Sequence, residues 1–285
     1  MKFLTIKAVS IFGFVVIVIL SFSVTTNLTS CTKTNTLYDT TYVTVHDTTI
    51  VRDSIYDLKN GLVAYYSFQN GSLSDSSVYH NDIVFNSATK ASDRFGKTNN
   101  AYLFNGTSDY MTVKNNESLN PDNITIYAIV YINGFYHGTC DGNQIVSKGY
   151  PYDSQGFYDL AFIDPNDNCT GSANTSNEVF AGGYGDNIPS GTQAGALSDT
   201  RVATGKWYHV AFTYDGLTAK MYIDGKLENS QEKRVSMTDN SNDLFIGKHE
   251  NPPYPYYFNG ILDELRIYNR ALSAYEINQL TKLQY

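Results

Sequence analysis

Strict alternation of apolar and polar residues recurs along the chain from Gly61 to Tyr285. In Ile124–Ile132 (ITIYAIVYI) the period of two puts Ile124, Ile126, Ala128, Val130 and Ile132 on one face, the signature of a half-buried strand. Lys206–Tyr214 predicts a second strand. Asp215-Gly216 turns it into Ala219–Ile223, and Asp224-Gly225 turns the chain again; both dipeptides favour hairpin turns. Further strands are predicted at Leu62–Phe68, Ala101–Phe104, Tyr110–Val113, Gln144–Ser147, Phe157–Phe162, Leu244–Gly247 and Ile261–Tyr268. Ser273-Ala274-Tyr275-Glu276 is a capping box followed by Ile277, Leu280 and Leu283 at helical spacing, which predicts one short C-terminal helix. About 225 residues of short strands and turns suit one all-β, two-sheet antiparallel sandwich of jelly-roll type over residues 60–285.

The first 60 residues follow another pattern. Lys2 and Lys7, with no acid, precede the apolar run Ala8–Leu20, which reads as an export signal over residues 1–30; a retained signal anchor is the rival reading. Leu28-Thr29-Ser30-Cys31 resembles the bacterial lipobox. That resemblance implies cleavage before Cys31 and a diacylglycerol on its sulfur, with membrane binding of about 0.8 kcal/mol per buried CH₂. Thr32, where an Asp would favour inner-membrane retention, implies sorting to the outer membrane, on either its periplasmic or its outer face. Residues 31–59 contain the near-repeat Asp39–His46 and Asp47–Arg52, then Asp53–Asp57, alternating polar and β-branched residues without Gly or Pro. The expectation is an extended stalk, with a self-associating strand as its alternative.

Composition narrows the partners. Loss of the signal leaves 18 basic residues against 28 acids, a net charge of −10, and no basic run exceeds Lys233-Arg234. Nucleic acid is excluded on this ground, since phosphate neutralisation needs clustered Lys and Arg. Tyr is abundant at 24 residues, which favours strands. Cys140 and Cys169 remain as an even pair in an oxidising compartment, so a disulfide is expected, closing a loop of about 30 residues worth about 3 kcal/mol; two free buried thiols are the alternative.

Several segments carry a resemblance. Gly61–Phe68 (GLVAYYSF) with Asp75-Ser76-Ser77 and Asn81, then Phe95-Gly96-Lys97, Ala101–Gly106 and Asp109–Val113, resemble the opening of a laminin-G-like (concanavalin A-like) jelly roll. Lys206–Gly216, Met221–Lys226 and Phe258–Ser273 continue it in order. The resemblance implies a lectin-like, adhesive or carbohydrate-binding module, or an appendage of a secreted glycosidase, and fold alone does not choose among them.

Period two places Asp263 on the face of Ile261, Leu265 and Ile267, and a core-facing carboxylate needs hydrogen bonds, neutralisation or a cation. The resemblance implies a structural Ca²⁺ ligand at Asp263, to which Asp75 and Asn81 are added as oxygen donors; a carboxylate satisfied by turn N–H groups is the alternative. Trp207 and His209 are expected to pack within the scaffold. Tyr150 and Tyr152, and Tyr254 and Tyr256 in the Pro-rich run Pro252–Tyr257, lie in predicted loops. There their rings either stack on sugars or pack back on the sheet edge. The seven Glu residues (117, 178, 228, 232, 250, 264 and 276) form no Glu-x-Asp-x-x-Glu pattern such as glycosidases of this fold carry on one strand. Asp263 and Glu264, being adjacent, are expected on opposite faces. Neither a Gly-x-Ser-x-Gly nor a His-rich metal motif occurs. The expected function is a non-catalytic envelope lipoprotein binding carbohydrate; a structural or adhesive module binding other proteins is the alternative, and a glycosidase a distant third.

Overall fold

The computed structural model describes residues 6–11, 15–20, 37–45, 48–136, 142–150, 156–166, 177–186, 193–238, 240–250 and 254–284, with side chains from residue 57 onward. Cys31, Cys140, Cys169 and Tyr152 lie outside the described residues. The chain divides into two units, Met1–Asp57 and Leu58–Tyr285. In the first, β1 (Ile6–Ile11) pairs antiparallel with β2 (Val15–Leu20), and β3 (Leu37–Val45) with β4 (Thr48–Tyr56). Within the segment expected as a stalk the two strands pair with Leu37 opposite Tyr56 and Val45 opposite Thr48.

Among its described residues the second unit holds fifteen strands: β5 (Leu62–Tyr66), β6 (Ile83–Asn86), β7 (Thr89–Ala91), β8 (Ala101–Asn105), β9 (Met111–Val113), β10 (Ile124–Ile132), β11 (Asn143–Lys148), β12 (Phe157–Ile163), β13 (Val179–Gly185), β14 (Gln193–Arg201), β15 (Trp207–Tyr214), β16 (Thr218–Ile223), β17 (Lys226–Glu232), β18 (Leu244–Ile246) and β19 (Asn259–Tyr268). One sheet runs β17-β16-β15-β10-β19-β8-β7, with β5 also paired to β19; the other runs β14-β13-β12-β11-β18-β9-β6. All these strand pairs are antiparallel, and the two sheets face each other as a jelly-roll sandwich.

The alternation read from the sequence sets the core. Ile126, Ala128 and Val130 of β10 meet Leu160 and Phe162 of β12 and Phe180 of β13 in one cluster of buried side chains. Aromatic residues fill the gap edge to face, as between Phe162 and Phe180 with ring centres 6.0 Å apart. The sheets approach closely at Gly182, where an added Cβ would stand 2.3 Å from the Phe212 ring. The Asp224-Gly225 turn joins β16 to β17 with both residues at positive φ (50° and 79°), the backbone of a type I′ hairpin. Helix α1 (Ala274–Leu280) begins at the predicted capping box, with the Ser273 side chain accepting from the Glu276 N–H and the Glu276 carboxylate accepting from the Ser273 N–H.

Several registers depart from simple alternation, and one of them corrects the sequence reading. On β19, Glu264 opposes Ile129 and Leu262 opposes Val130, so Asp263 is the extra residue of a β-bulge. The bulge resets parity. Leu262 faces the core before it and Leu265 and Ile267 after it, so Asp263 does not share their face. Nor do Asp263 and Glu264 point to opposite faces, because both line one small cavity beside Arg94.

Candidate functional site

A groove of about 910 Å³ lies over the outward face of β11 to β14. Its floor comes from strand positions that alternate with core residues. On β12, Tyr158, Leu160 and Phe162 point inward while Phe157, Asp159 and Ala161 line the groove. Asp159 stands opposite Gly183 on β13, and Gly183 opposite Gly195 on β14. The glycines matter physically. A Cβ on Gly183 would stand 2.8 Å from the Asp159 Oδ1 and 2.9 Å from the Phe157 ring, so the missing side chain is what lets carboxylate and ring lie down on the sheet. A Cβ on Gly195 would stand 3.0 Å from the Gly182 carbonyl. Asp159, Gly183 and Gly195 thus form a cross-strand strip that carries a single side chain.

The carboxylate in this strip is perturbed. Burial pushes the Asp159 pKa up to about 6, against hydrogen bonds from the Gln144 side chain and the Gly183 backbone that favour the charged form. It is ionised at neutral pH and acts there as an acceptor.

Aromatic side chains form one rim. The Gln144 N–H donates to the Tyr256 carbonyl at 2.8 Å and the His249 N–H to the Pro255 carbonyl at 2.6 Å, which ties the proline-rich loop to β11. Tyr256 holds φ at 47°, a left-handed conformation uncommon for a side chain of this size. From this loop Tyr254 stacks on Tyr256 (6.2 Å, 21°), Tyr256 meets His249 at 5.8 Å, and His249 meets Tyr150 edge to face at 4.8 Å. Tyr254 is exposed, whereas Tyr150 and Tyr256 are half-buried. Burial, and then Lys248, pull the His249 pKa down to about 4, so its imidazole is neutral in the physiological range. The opposite rim is polar, with Asn229, Ser230 and Gln231 of β17 and Lys233 beyond it. The arrangement offers flat apolar faces beside fixed acceptors and donors, the combination that holds polyhydroxylated rings.

Three of the expected ligand-binding tyrosines, Tyr150, Tyr254 and Tyr256, therefore meet at one groove. Asp159, Gln144, His249 and the glycine strip were not foreseen. Asp159 left a signal, a lone carboxylate at the parity of Phe157, Ala161 and Ile163. β13 and β14 left a weak one, because Gly and Ala have little strand propensity.

The residues expected to hold calcium sit in two separate networks. Asp263 accepts from Arg94, from Nη1 at 2.6 Å and from its N–H at 3.2 Å, and both side chains are largely buried. Asp75 accepts from the N–H groups of Tyr65 and Ser77 on one oxygen, and from the Ser77 hydroxyl and the Asn81 N–H on the other. The Asn81 amide donates to the Val63 carbonyl and to Ser118. Among the described residues no three His, Cys, Asp or Glu side chains gather as a metal group. A calcium ion at Asp263 would have to displace the Arg94 guanidinium, so these residues as arranged do not fit the ion. Trp207 packs on Tyr131 at 5.4 Å. His209 lies 2.6 Å from the Tyr127 hydroxyl through Nδ1, with its pKa lowered to about 4 by burial and then by Arg94.

A family model for the concanavalin A-like lectin/glucanases superfamily matches residues 105–278, and the protein belongs to that superfamily. No curated protein matches the sequence. Among solved structures, domain 4 of the GH43 extracellular arabinanase AbnA from Geobacillus stearothermophilus, in complex with arabinotriose, is 20% identical with a TM-score of 0.57. That match covers 77% of this chain and 98% of the other. The binding domain of Paraclostridial Mosquitocidal Protein 1 is 17% identical with a TM-score of 0.59, covering 79% of this chain and 52% of that one. The botulinum neurotoxin serotype D binding domain is 15% identical with a TM-score of 0.57, covering 79% and 52%. The chain thus spans about half the length of the toxin binding domains. At these identities the likeness is one of fold.

Proposed function

We propose that the protein is a non-catalytic carbohydrate-binding module, and that the groove over β11–β14 is its binding surface. The observation that carries this reading is the meeting of stacked tyrosine rings with the glycine strip and the Asp159 carboxylate in one groove. Ring faces supply apolar contact to the C–H faces of a sugar, and Asp159 with Gln144 fixes its hydroxyls. The arabinotriose held by the AbnA domain, which shares the fold, agrees with a sugar ligand. The non-catalytic reading rests on the sequence, whose seven Glu residues form no Glu-x-Asp-x-x-Glu pattern of the kind glycosidases of this fold use. The signal-like N-terminus and the lipobox-like Leu28–Cys31 support a lipid-anchored module at the outer membrane.

The test is retention on a panel of soluble and insoluble polysaccharides. Replacing Tyr254 and Tyr256 together with Ala should weaken retention of whichever polysaccharide binds by about tenfold or more, by analogy with the 1–3 kcal/mol that one stacked base contributes. Unchanged retention would remove the groove from consideration, and reducing-sugar release would overturn the non-catalytic reading.

A further inference from the structure

Charge among the described groove residues is balanced, although the chain as a whole carries −8. Among the described groove residues Asp159 is the one acid and Lys233 the one Lys or Arg, while His249 is neutral. The remaining polar groups are amides and hydroxyls, Gln144, Gln193, Asn229, Ser230 and Gln231. A charged glycan of either sign would bring charges for which the described groove residues hold at most one partner, and leaving such a charge uncompensated in a partly desolvated site is costly. A second geometric fact bears on the same point. Asp159 lies on the sheet in one cross-strand row with two positions without side chains, Gly183 and Gly195, so a ligand seated on that row meets its carboxylate.

We propose that the groove takes an uncharged glycan, with one sugar ring lying on the Gly183–Gly195 strip and its neighbouring hydroxyls donating to the ionised Asp159 carboxylate. This rests on the groove being the carbohydrate site and adds the class of ligand and the residue that selects it. Hydroxyl donors satisfy a carboxylate fully, and an acceptor that carries charge forms the stronger kind of hydrogen bond. A uronate or sulfate at the same place would set like charges against each other.

The groups facing Asp159 also make the interaction depend on pH. Gln144 from β11 and the Gly183 backbone from β13 do not titrate. His249 titrates near 4, and Lys233 is the one Lys or Arg among the described groove residues. Among the described groove residues Asp159 is thus the carboxylate, and its charge changes between pH 7.5 and 5. Protonation removes the charged acceptor, so affinity falls as pH drops through about 6.

The test uses the full-length chain in detergent, with arabinan, mixed-linkage β-glucan and galactomannan as neutral probes, polygalacturonate as the acidic probe and chitosan as the cationic one. Binding is expected to a neutral polymer only. It should weaken roughly tenfold or more in Asp159→Asn, as loss of a hydrogen bond to a charged acceptor implies. The wild-type affinity should fall by up to about tenfold from pH 7.5 to 5, while that of Asp159→Asn stays flat. Binding of polygalacturonate or chitosan in preference to the neutral polymers overturns the proposal while leaving the groove as a glycan site. So does neutral binding that Asp159→Asn leaves intact. If no polymer binds either protein, the carbohydrate reading of the groove falls and this proposal falls with it.

Discussion

Removing the negative charge at Asp159 should make the folded protein more stable even as it weakens the groove. The carboxyl's pKa is about 6 in the folded state against 3.8 for an unperturbed Asp. A folded-state pKa raised above the unfolded one means that the unfolded chain ionises more readily, so ionisation opposes folding. The penalty is absent below about 3.8, grows between 3.8 and 6, and is fully present above 6. At 1.36 kcal/mol per pH unit the gap corresponds to about 3 kcal/mol, and water reaching the half-buried side chain from the groove trims this to about 1–2 kcal/mol. Asp159→Asn keeps the shape and an oxygen acceptor for Gln144 and the Gly183 N–H, so it removes the penalty with little else. For a domain of some 230 residues each kcal/mol shifts Tm by about 2–4 °C, which predicts a rise of about 2–8 °C at pH 7.5. The assay is a pair of melting series from pH 7.5 to 4. The gap between variant and wild type should close as pH falls through 6. Parallel curves with a constant offset, or a variant less stable at pH 7.5, would refute the burial argument for Asp159 and with it the expected pH dependence of binding.

Arg94→Met leaves the largely buried Asp263 carboxylate without its guanidinium and should cost about 3–5 kcal/mol at neutral pH, read from urea unfolding. Calcium should leave the wild-type melting temperature unmoved; a calcium-dependent rise, in wild type or as rescue of Arg94→Met, would reinstate the ion at Asp263. Cys31→Ala should shift the protein from the membrane fraction to the soluble one after cell lysis, and continued membrane association would remove the lipid anchor from the account.

The two-sheet sandwich was legible in the sequence because its core strands obey period two without interruption. Ile124–Ile132, Lys206–Tyr214 and the Asp-Gly turns each carry their own local instruction, and the Ser273–Glu276 box marks the start of its helix unaided. The rings of Tyr150, Tyr254 and Tyr256 could be named as candidates because the prolines beside them mark loops, although only Tyr254 of the three is exposed. Three matters were beyond local pattern. The bulge at Asp263 reversed its face, because one inserted residue shifts parity and only the partner strand reveals the insertion. β13 and β14 hide behind Gly and Ala, whose value lies in what a neighbouring strand lays across them, namely Asp159 and Phe157. The groove itself joins residues from β11 to β14, β17 and the loop before β19, brought side by side by a sheet order that pairs strands distant in the chain. The sequence by itself determined the class of fold and the aromatic side of the site. The acid at its centre and the opposite rim were decided by tertiary structure, since alternation assigns a residue to a face but cross-strand neighbours decide what that face encloses.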